Sequence, residues 1–438
     1  MKAICLIISR LYNMHLMQIV KRFLELFKHY GIRAGRFEKA LNGFIDLMQK
    51  NAIIPTFPVT ANVVRKNALV FQSINKSEVD WAVHGLDHID YTRISFKTAQ
   101  SHYQKASEIF KKRQIPFTGY RFPFLRRNWS CIDELSQHGY QWDSSEAFYW
   151  RVIDEQILSR KQKKALSCII DSYNPLFEDY ALALPMMRHE LVEIPVSLPD
   201  DDVLLARIHL KSAQDLFEIW NKIYLRVRER GEHFTLQVHP ERFFKYRRAL
   251  QPLIEKISKD PHSYVASISA IADWWIEKNQ FRFEIDNLSK ESFELKAACS
   301  ERATILLKNA KDDSLKKFGY HNYSILNGRS WTFSGKNRPF IGVHPEFDRD
   351  ICDFLLEEGY MLETNFENEN YSIYLDDKYQ FSLDNKVHIL HTIEQTQNEL
   401  IRFWRWPEGK RYAFTVSGDI DAVVLGDYFD RFKGALNG

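Results

Sequence analysis

Two histidines and two aspartates, more than 300 residues apart in the chain, are of the types that build a metal site. His84-Gly-Leu-Asp-His88 sets two imidazoles at i and i+4, after the apolar run Trp81–Val83. Asp419-Ile-Asp421 ends a short apolar strand within Trp406–Ala422. Alternate strand residues point the same way, so both carboxylates reach one spot. Neutral imidazole nitrogens suit zinc and related divalent ions. One carboxylate with two imidazoles makes a facial site with open positions, and such a site can hold a hydrolytic water. Each pair also has a plainer reading. H-x-x-x-H is a weak pattern in a chain with 15 histidines, and an aspartate is a good N-cap for a helix over Val423–Phe432.

Two further segments place chemistry at strand ends. Gly119-Tyr-Arg121-Phe-Pro123-Phe124 offers a guanidinium able to grip a carboxylate in a fork, with a stiff aromatic loop after it. Leu236-Gln-Val-His239-Pro240 ends a strand in a histidine able to donate a proton. Their plainer readings are a surface arginine beside a turn proline, and a buried, hydrogen-bonded histidine.

Short strands alternating with helices position these residues. Strands are expected at Ile53–Val59, Val79–Val83, Phe117–Phe122, Leu191–Val196 and Phe234–Val238, and helices at Phe96–Arg113, Cys131–His138, Ala213–Arg230 and Ser269–Asn279. That rhythm favours an α/β barrel or parallel sheet, whose sites gather just beyond strand C-termini. From Phe281 to Leu400 the pattern changes to short alternating stretches such as Ala303–Leu307, Tyr371–Leu375 and Tyr379–Leu383, read as a small β-rich domain.

Together these motifs resemble the polysaccharide deacetylases, the NodB-homology family of metal-dependent carbohydrate esterases. The family's Asp-Asp, H-x-x-x-H, R-x-P-aromatic and late catalytic-His motifs correspond to Asp419/Asp421, His84/His88, Arg121-Phe-Pro-Phe124 and His239. Residues 44–59, Trp142-Asp-Ser-Ser145 and Ala272-Asp-Trp-Trp275 add to the likeness. It covers residues 40–280 and 404–432. The Asp motif departs from the family in lying at the C-terminus, with one residue between the aspartates and Gly418 where an aromatic is usual. The fold implied is a distorted (β/α) barrel of NodB type, circularly permuted. Its main part would be residues 1–280, an inserted β-rich domain 281–400, and the completing strand and helix 401–438.

The resemblance implies that His84, His88 and Asp421 bind one divalent metal, zinc first, with cobalt, nickel or manganese as substitutes. It makes Asp419 the general base, oriented by Arg121, and His239 the general acid. The carboxylate that keeps His239 protonated would be Asp273 or one of Asp200-Asp-Asp202. Pro123, Phe124, Trp142 and Asp202 would line the substrate pocket, and Trp129, Phe148, Tyr149 and Trp150 are either sugar platforms or core. The implied substrate is an acetylated amino sugar in a glycan or glycan precursor. A deformylase, a cyclic-amide hydrolase and a non-catalytic glycan-binding protein are the alternatives.

The totals fit that reading. The 438 residues are 45% hydrophobic and 14% aromatic, ordinary for a globular chain with a large domain and a smaller one. A net charge of +3 without a dense basic run argues against nucleic acid. Five scattered cysteines without C-x-x-C suggest a reducing compartment, so a cytoplasmic location is expected. Residues 1–30 have helically spaced apolar positions opposite lysines and arginines, which suits packing on the core or contact with a membrane surface or lipid-linked substrate. A homodimer that swaps the C-terminal strand would read the same in sequence.

Overall fold

The computed structural model describes residues 26–430, apart from 28, 29, 128–131, 290, 291, 335–337, 368 and 369. Most of the amphipathic stretch 1–30, together with Trp129 and Cys131, lies outside these residues.

One large sheet organises the chain. Its strands are β1 (Thr56–Val59), β2 (Asp80–Val83), β3 (Gly119–Tyr120), β4 (Trp142–Asp143), β5 (Ala147–Tyr149), β6 (Leu176–Phe177), β7 (Met186–Arg188), β8 (Leu191–Glu193), β9 (Val196–Leu198), β10 (His233–Val238), β11 (Ser263–Val265) and the C-terminal strand Tyr412–Gly418. All pairings are parallel except β7 with β8. The C-terminal strand runs beside β10 along one edge, with β11 and then β1 along the other.

The sheet curls back on itself. The expected strand Leu191–Val196 is in fact two, because Pro195 lacks the N–H that a ladder needs. β4 pairs with β8, while β5 pairs with β9. Across the breaks, Ile194 N–H still donates to Asp143 O at 2.8 Å and Val196 N–H to Glu146 O at 2.7 Å. Two bent strands thus join the β3 side to the β10 side and give a distorted barrel. Helices Gly35–Gln49, Phe96–Lys112, Ala213–Arg230 and Phe243–Ser258 each turn an apolar stripe toward it, and their buried residues merge into one core with Phe57, Val83, Leu236, Phe414 and Val416.

The C-terminal strand is buried along its whole length. Tyr412, Phe414 and Val416 belong to the helix-covered core, while Thr415 and Ser417 make polar contacts with His233 and Arg121. Polar residues therefore occupy the other face of this strand, and that face leads to Asp419.

Packing is tight at β3. A Cβ on Gly119 would lie 1.8 Å from the Trp142 ring, its cross-strand neighbour. Gly119→Ala is expected to cost about 3 kcal/mol or more by overpacking. Urea unfolding checks this, and a loss below about 0.5 kcal/mol would contradict the packing described.

The stretch read as β-rich holds more than strands. Arg282–Ser289, Ser292–Ala298 and Ser330–Ser334 form one antiparallel sheet, and Ile305–Lys308 sits between Tyr323–Ile325 and Leu400–Phe403 in a second. Arg338–Val343 lies between Leu362–Thr364 and Tyr371–Leu375 in a parallel third. Helices Arg349–Glu357 and Lys386–Glu394 accompany them. Parallel strands need crossovers, and Arg349–Glu357 lies in the connection from Arg338–Val343 to Leu362–Thr364. The strand expected at Tyr379–Leu383 does not form; a 3₁₀ turn begins at Leu383. Trp274 Nε1 donates to Arg405 O at 2.8 Å and Trp275 Nε1 to Glu357 Oε1 at 2.8 Å, tying this region to the helix Ile268–Lys278.

Candidate active site

The chemistry-bearing residues all follow C-terminal strand ends. His84 follows β2, Arg121 follows β3, Asp201 follows β9, His239 follows β10, and Asp419 follows the C-terminal strand. Backbone bonds fix these ends. His84 N–H donates to Val59 O and Arg121 N–H to Val83 O, both at 2.9 Å, and Ile420 N–H donates to Pro58 O at 2.8 Å.

His84-Gly-Leu-Asp-His88 is a turn, not a helix. Gly85 has φ +78, and a Cβ there would lie 2.9 Å from Asp87 O. The unsatisfied N–H groups at the start of the helix Ala61–Lys66 hold the turn: Ala61 donates to Gly85 O at 2.9 Å and Asn62 to Leu86 O at 3.0 Å. His84 Nδ1 lies 2.8 Å from Arg121 O. A carbonyl only accepts, so Nδ1 carries a hydrogen and Nε2 is the nitrogen that faces the site.

Asp421 faces both imidazoles. Its Oδ1 is 3.4 Å from His84 Nε2 and its Oδ2 3.5 Å from His88 Nε2. All three residues are buried, and one ligand atom from each lies within 4.8 Å of the others. Two imidazoles and a carboxylate are a zinc-type donor set, so these residues fit a divalent metal.

Asp419 is held differently. Arg121 Nη1 donates to its Oδ1 at 2.7 Å and Gln237 Nε2 to its Oδ2 at 2.7 Å. Arg121 is itself fully buried, and gives further hydrogen bonds to Ser417 Oγ, Ser144 O and Ser144 Oγ. Both oxygens of Asp419 are thus anchored, while Asp421 turns to the histidines. Gly418, just before Asp419, must stay without a side chain, because a Cβ there would lie 2.9 Å from Pro240 Cγ and 3.0 Å from Phe57 Cε1. An aromatic has no room at that position.

His239 has a carboxylate partner, Asp201, whose Oδ1 is 2.6 Å from Nδ1. Burial, the largest single influence, lowers the His239 pKa, but the charge and hydrogen bond of Asp201, with the Glu241 charge, together push it well above the usual histidine value. The other candidate partner, Asp273, lies exposed on the helix Ile268–Lys278. Asp202 points to arginines, with Oδ2 2.8 Å from Arg207 Nε and Oδ1 3.0 Å from Arg242 Nη1. Burial beside Asp201 and Asp202 pushes Asp200 up to about 7.

The proposed pocket residues divide. Phe124 is 45% exposed, and its ring stands edge-on to His88 at 4.3 Å between centroids. Its φ of +63 is unusual for a bulky side chain and follows buried Pro123. Trp142 is fully buried, with Nε1 donating to Ser269 Oγ at 3.0 Å, so it is core and no sugar platform. Phe148, Tyr149 and Trp150 are core as well. Sequence reasoning gave no role to Gln237, Ser417 or Ser144. Strand alternation carried a signal for two of them, since Gln237 and Ser417 each precede a chemistry-bearing residue by two.

A family model described as polysaccharide deacetylase matches residues 30–142. That span includes His84, His88 and Arg121, and it stops short of His239 and both aspartates. No curated protein matches the chain. Among solved structures, the chain is similar to a protein described as a polysaccharide deacetylase from Mycobacterium smegmatis, at 19% identity and TM-score 0.42, with 54% of this chain and 76% of that one covered. It is also similar to a Puue allantoinase at 15% identity and TM-score 0.43, covering 54% and 72%. A third similar structure, described as a polysaccharide deacetylase from Pseudomonas aeruginosa PAO1, gives 14% and 0.43, covering 56% and 78%. Among the described residues, no helix is long and apolar enough to cross a membrane.

Proposed function

We propose, on the premise that residues 30–142 carry the polysaccharide deacetylase pattern, that this chain is a metal-dependent hydrolase removing N-acetyl groups from an amino sugar in a glycan or glycan precursor. The observation that carries this is convergence. His84, His88 and Asp421 meet at one point, with the anchored carboxylate Asp419 beside them. Zinc is the first choice for the metal, with cobalt, nickel or manganese as substitutes. When bound by His84, His88 and Asp421, such an ion supplies Lewis acidity and lowers the pKa of a water toward about 7.

The chain's own groups do the rest. Asp419 takes a proton from the attacking water, and Arg121 fixes its orientation. The oxyanion that develops needs a hydrogen-bond donor, and a backbone N–H near Phe124 is the candidate. His239, kept protonated by Asp201, gives its proton to the departing nitrogen. Exposed Phe124 offers a face for the sugar at the mouth. Products are a free amine and acetate. On this reading the C-terminal strand completes the barrel beside β10, whether from its own chain or by exchange within a homodimer.

On this reading the chain is a permuted barrel, with 1–280 and 401–438 forming the catalytic unit and 281–400 an insertion. The scattered cysteines favour work in the cytoplasm, on a precursor that is lipid-linked or free. The test is metal content together with acetate release from N-acetylated chitooligosaccharides. Bound metal and metal-dependent release support the reading; stoichiometric metal without release from any acetylated amino sugar rejects the substrate class.

The acid assignment gives a pH prediction. An acid must be protonated to act, so the basic limb of kcat/KM follows the His239 pKa. Asp201→Asn removes the charge that raises it most, leaving burial and Arg242 to lower it against the smaller effect of Glu241. The basic limb should then move to lower pH by about 1–2 units, a loss of about 10–100-fold on the alkaline side. The acid limb should stay in place. A kcat/KM profile of both proteins decides, and an unmoved basic limb would remove His239 from the acid role.

A further inference from the structure

Gln237 lies on β10 two residues before His239, so the two side chains leave the same face of the strand. It is 4% exposed. Its Nε2 donates to Asp419 Oδ2 at 2.7 Å. An ionised carboxylate only accepts, which fixes which end of the amide is which. Oε1 is then a buried acceptor with no hydrogen-bond partner among the described residues. Unmet buried acceptors are uncommon and costly to keep. This one belongs to a side chain bonded to the proposed base and sits on the strand that leads into the proposed acid.

We propose that Gln237 Oε1 accepts the N–H of the scissile amide, so that this site selects an acetamide over an acetate ester. The inference rests on the deacetylase reading above. An acceptor with two lone pairs and no hydrogen must meet a donor. The substrate amide has one N–H on the nitrogen that His239 must protonate. Holding that hydrogen on Oε1 orients the nitrogen. As the carbonyl carbon becomes tetrahedral, the nitrogen's new lone pair is left open to His239. An ester has an oxygen at that position. It would set a lone pair against Oε1 and gain no orientation. Sites built to bond a substrate N–H discriminate strongly against analogues that lack it.

The test compares tetra-N-acetylchitotetraose with a cello-oligosaccharide acetylated on its 2-oxygens, which swaps N–H for O at the scissile position. Gln237→Met keeps the side-chain length and removes both polar ends. Losing the bond to Asp419 slows both substrates alike. Losing Oε1 slows only the amide, so the amide-to-ester ratio of kcat/KM should fall about 10-fold or more relative to wild type. A ratio unchanged from wild type overturns the inference and leaves the deacetylase reading intact. Acetate release from neither substrate by wild type overturns both. If Gln237→Met fails to fold, a crystal structure of His239→Ala with tetra-N-acetylchitotetraose decides. An acetamide nitrogen at hydrogen-bond distance from Oε1 supports the inference; Oε1 bonded elsewhere overturns it.

Discussion

Asp421→Ala is expected to strip the chain of its metal and of its activity together. Wild type should carry about one divalent ion per chain, and the variant almost none, because two neutral imidazoles without the anion make a poor site. On the proposed reading a bound ion would supply several kcal/mol of transition-state stabilisation, so acetate release should fall about 10³-fold or more. The fold should survive. The loop after Asp421 is held by other bonds, Leu425 N–H to Gly31 O at 2.9 Å and Asp427 Oδ2 accepting from Val423 N–H at 3.2 Å. Metal analysis, acetate assay and thermal melting on the same samples separate the three quantities. Metal retained with full activity would detach the C-terminal aspartates from His84 and His88, and the hydrolase proposal would fall with them.

The sequence made the strand ends legible because local patterns set them. Short apolar runs that stop at a histidine, an arginine or an aspartate can be read residue by residue, and the barrel follows from their alternation with helices. Side-chain partners across the barrel were not legible. Asp201 reaches His239 over 38 residues and Gln237 reaches Asp419 over 182, and neither spacing has a local signature. Asp273 looked as eligible as Asp201 in sequence, yet it lies on the exposed side of its helix. Trp142 illustrates the opposite error. An aromatic next to a site motif suggested a sugar platform, but the missing side chain at Gly119 lets its ring into the core. In the stretch from residue 281 onward, alternation found strands and missed the helices Arg349–Glu357 and Lys386–Glu394.

Arg121→Met is expected to damage both stability and catalysis, for separable reasons. The guanidinium is fully buried and its partner Asp419 is 4% exposed. Removing one member of a buried ion pair leaves the other charge without compensation, which costs about 3–5 kcal/mol. Ser144 and Ser417 lose their donor at the same time. Activity should fall about 10²–10⁴-fold, since an unanchored base is held in the wrong place or protonated. Arg121→Met combined with Asp419→Leu tells the two effects apart. With both charges gone, nothing ionic remains to be solvated, and most of the lost stability should return. Activity should not return, because the proton acceptor is gone. Denaturant unfolding and acetate release on the two single variants and the double variant check this. If stability and activity recover together in the double variant, Asp419 is a structural anion and the base must be sought elsewhere. If only stability recovers, the buried pair is a cost that the fold carries to hold a carboxylate ready beside His84.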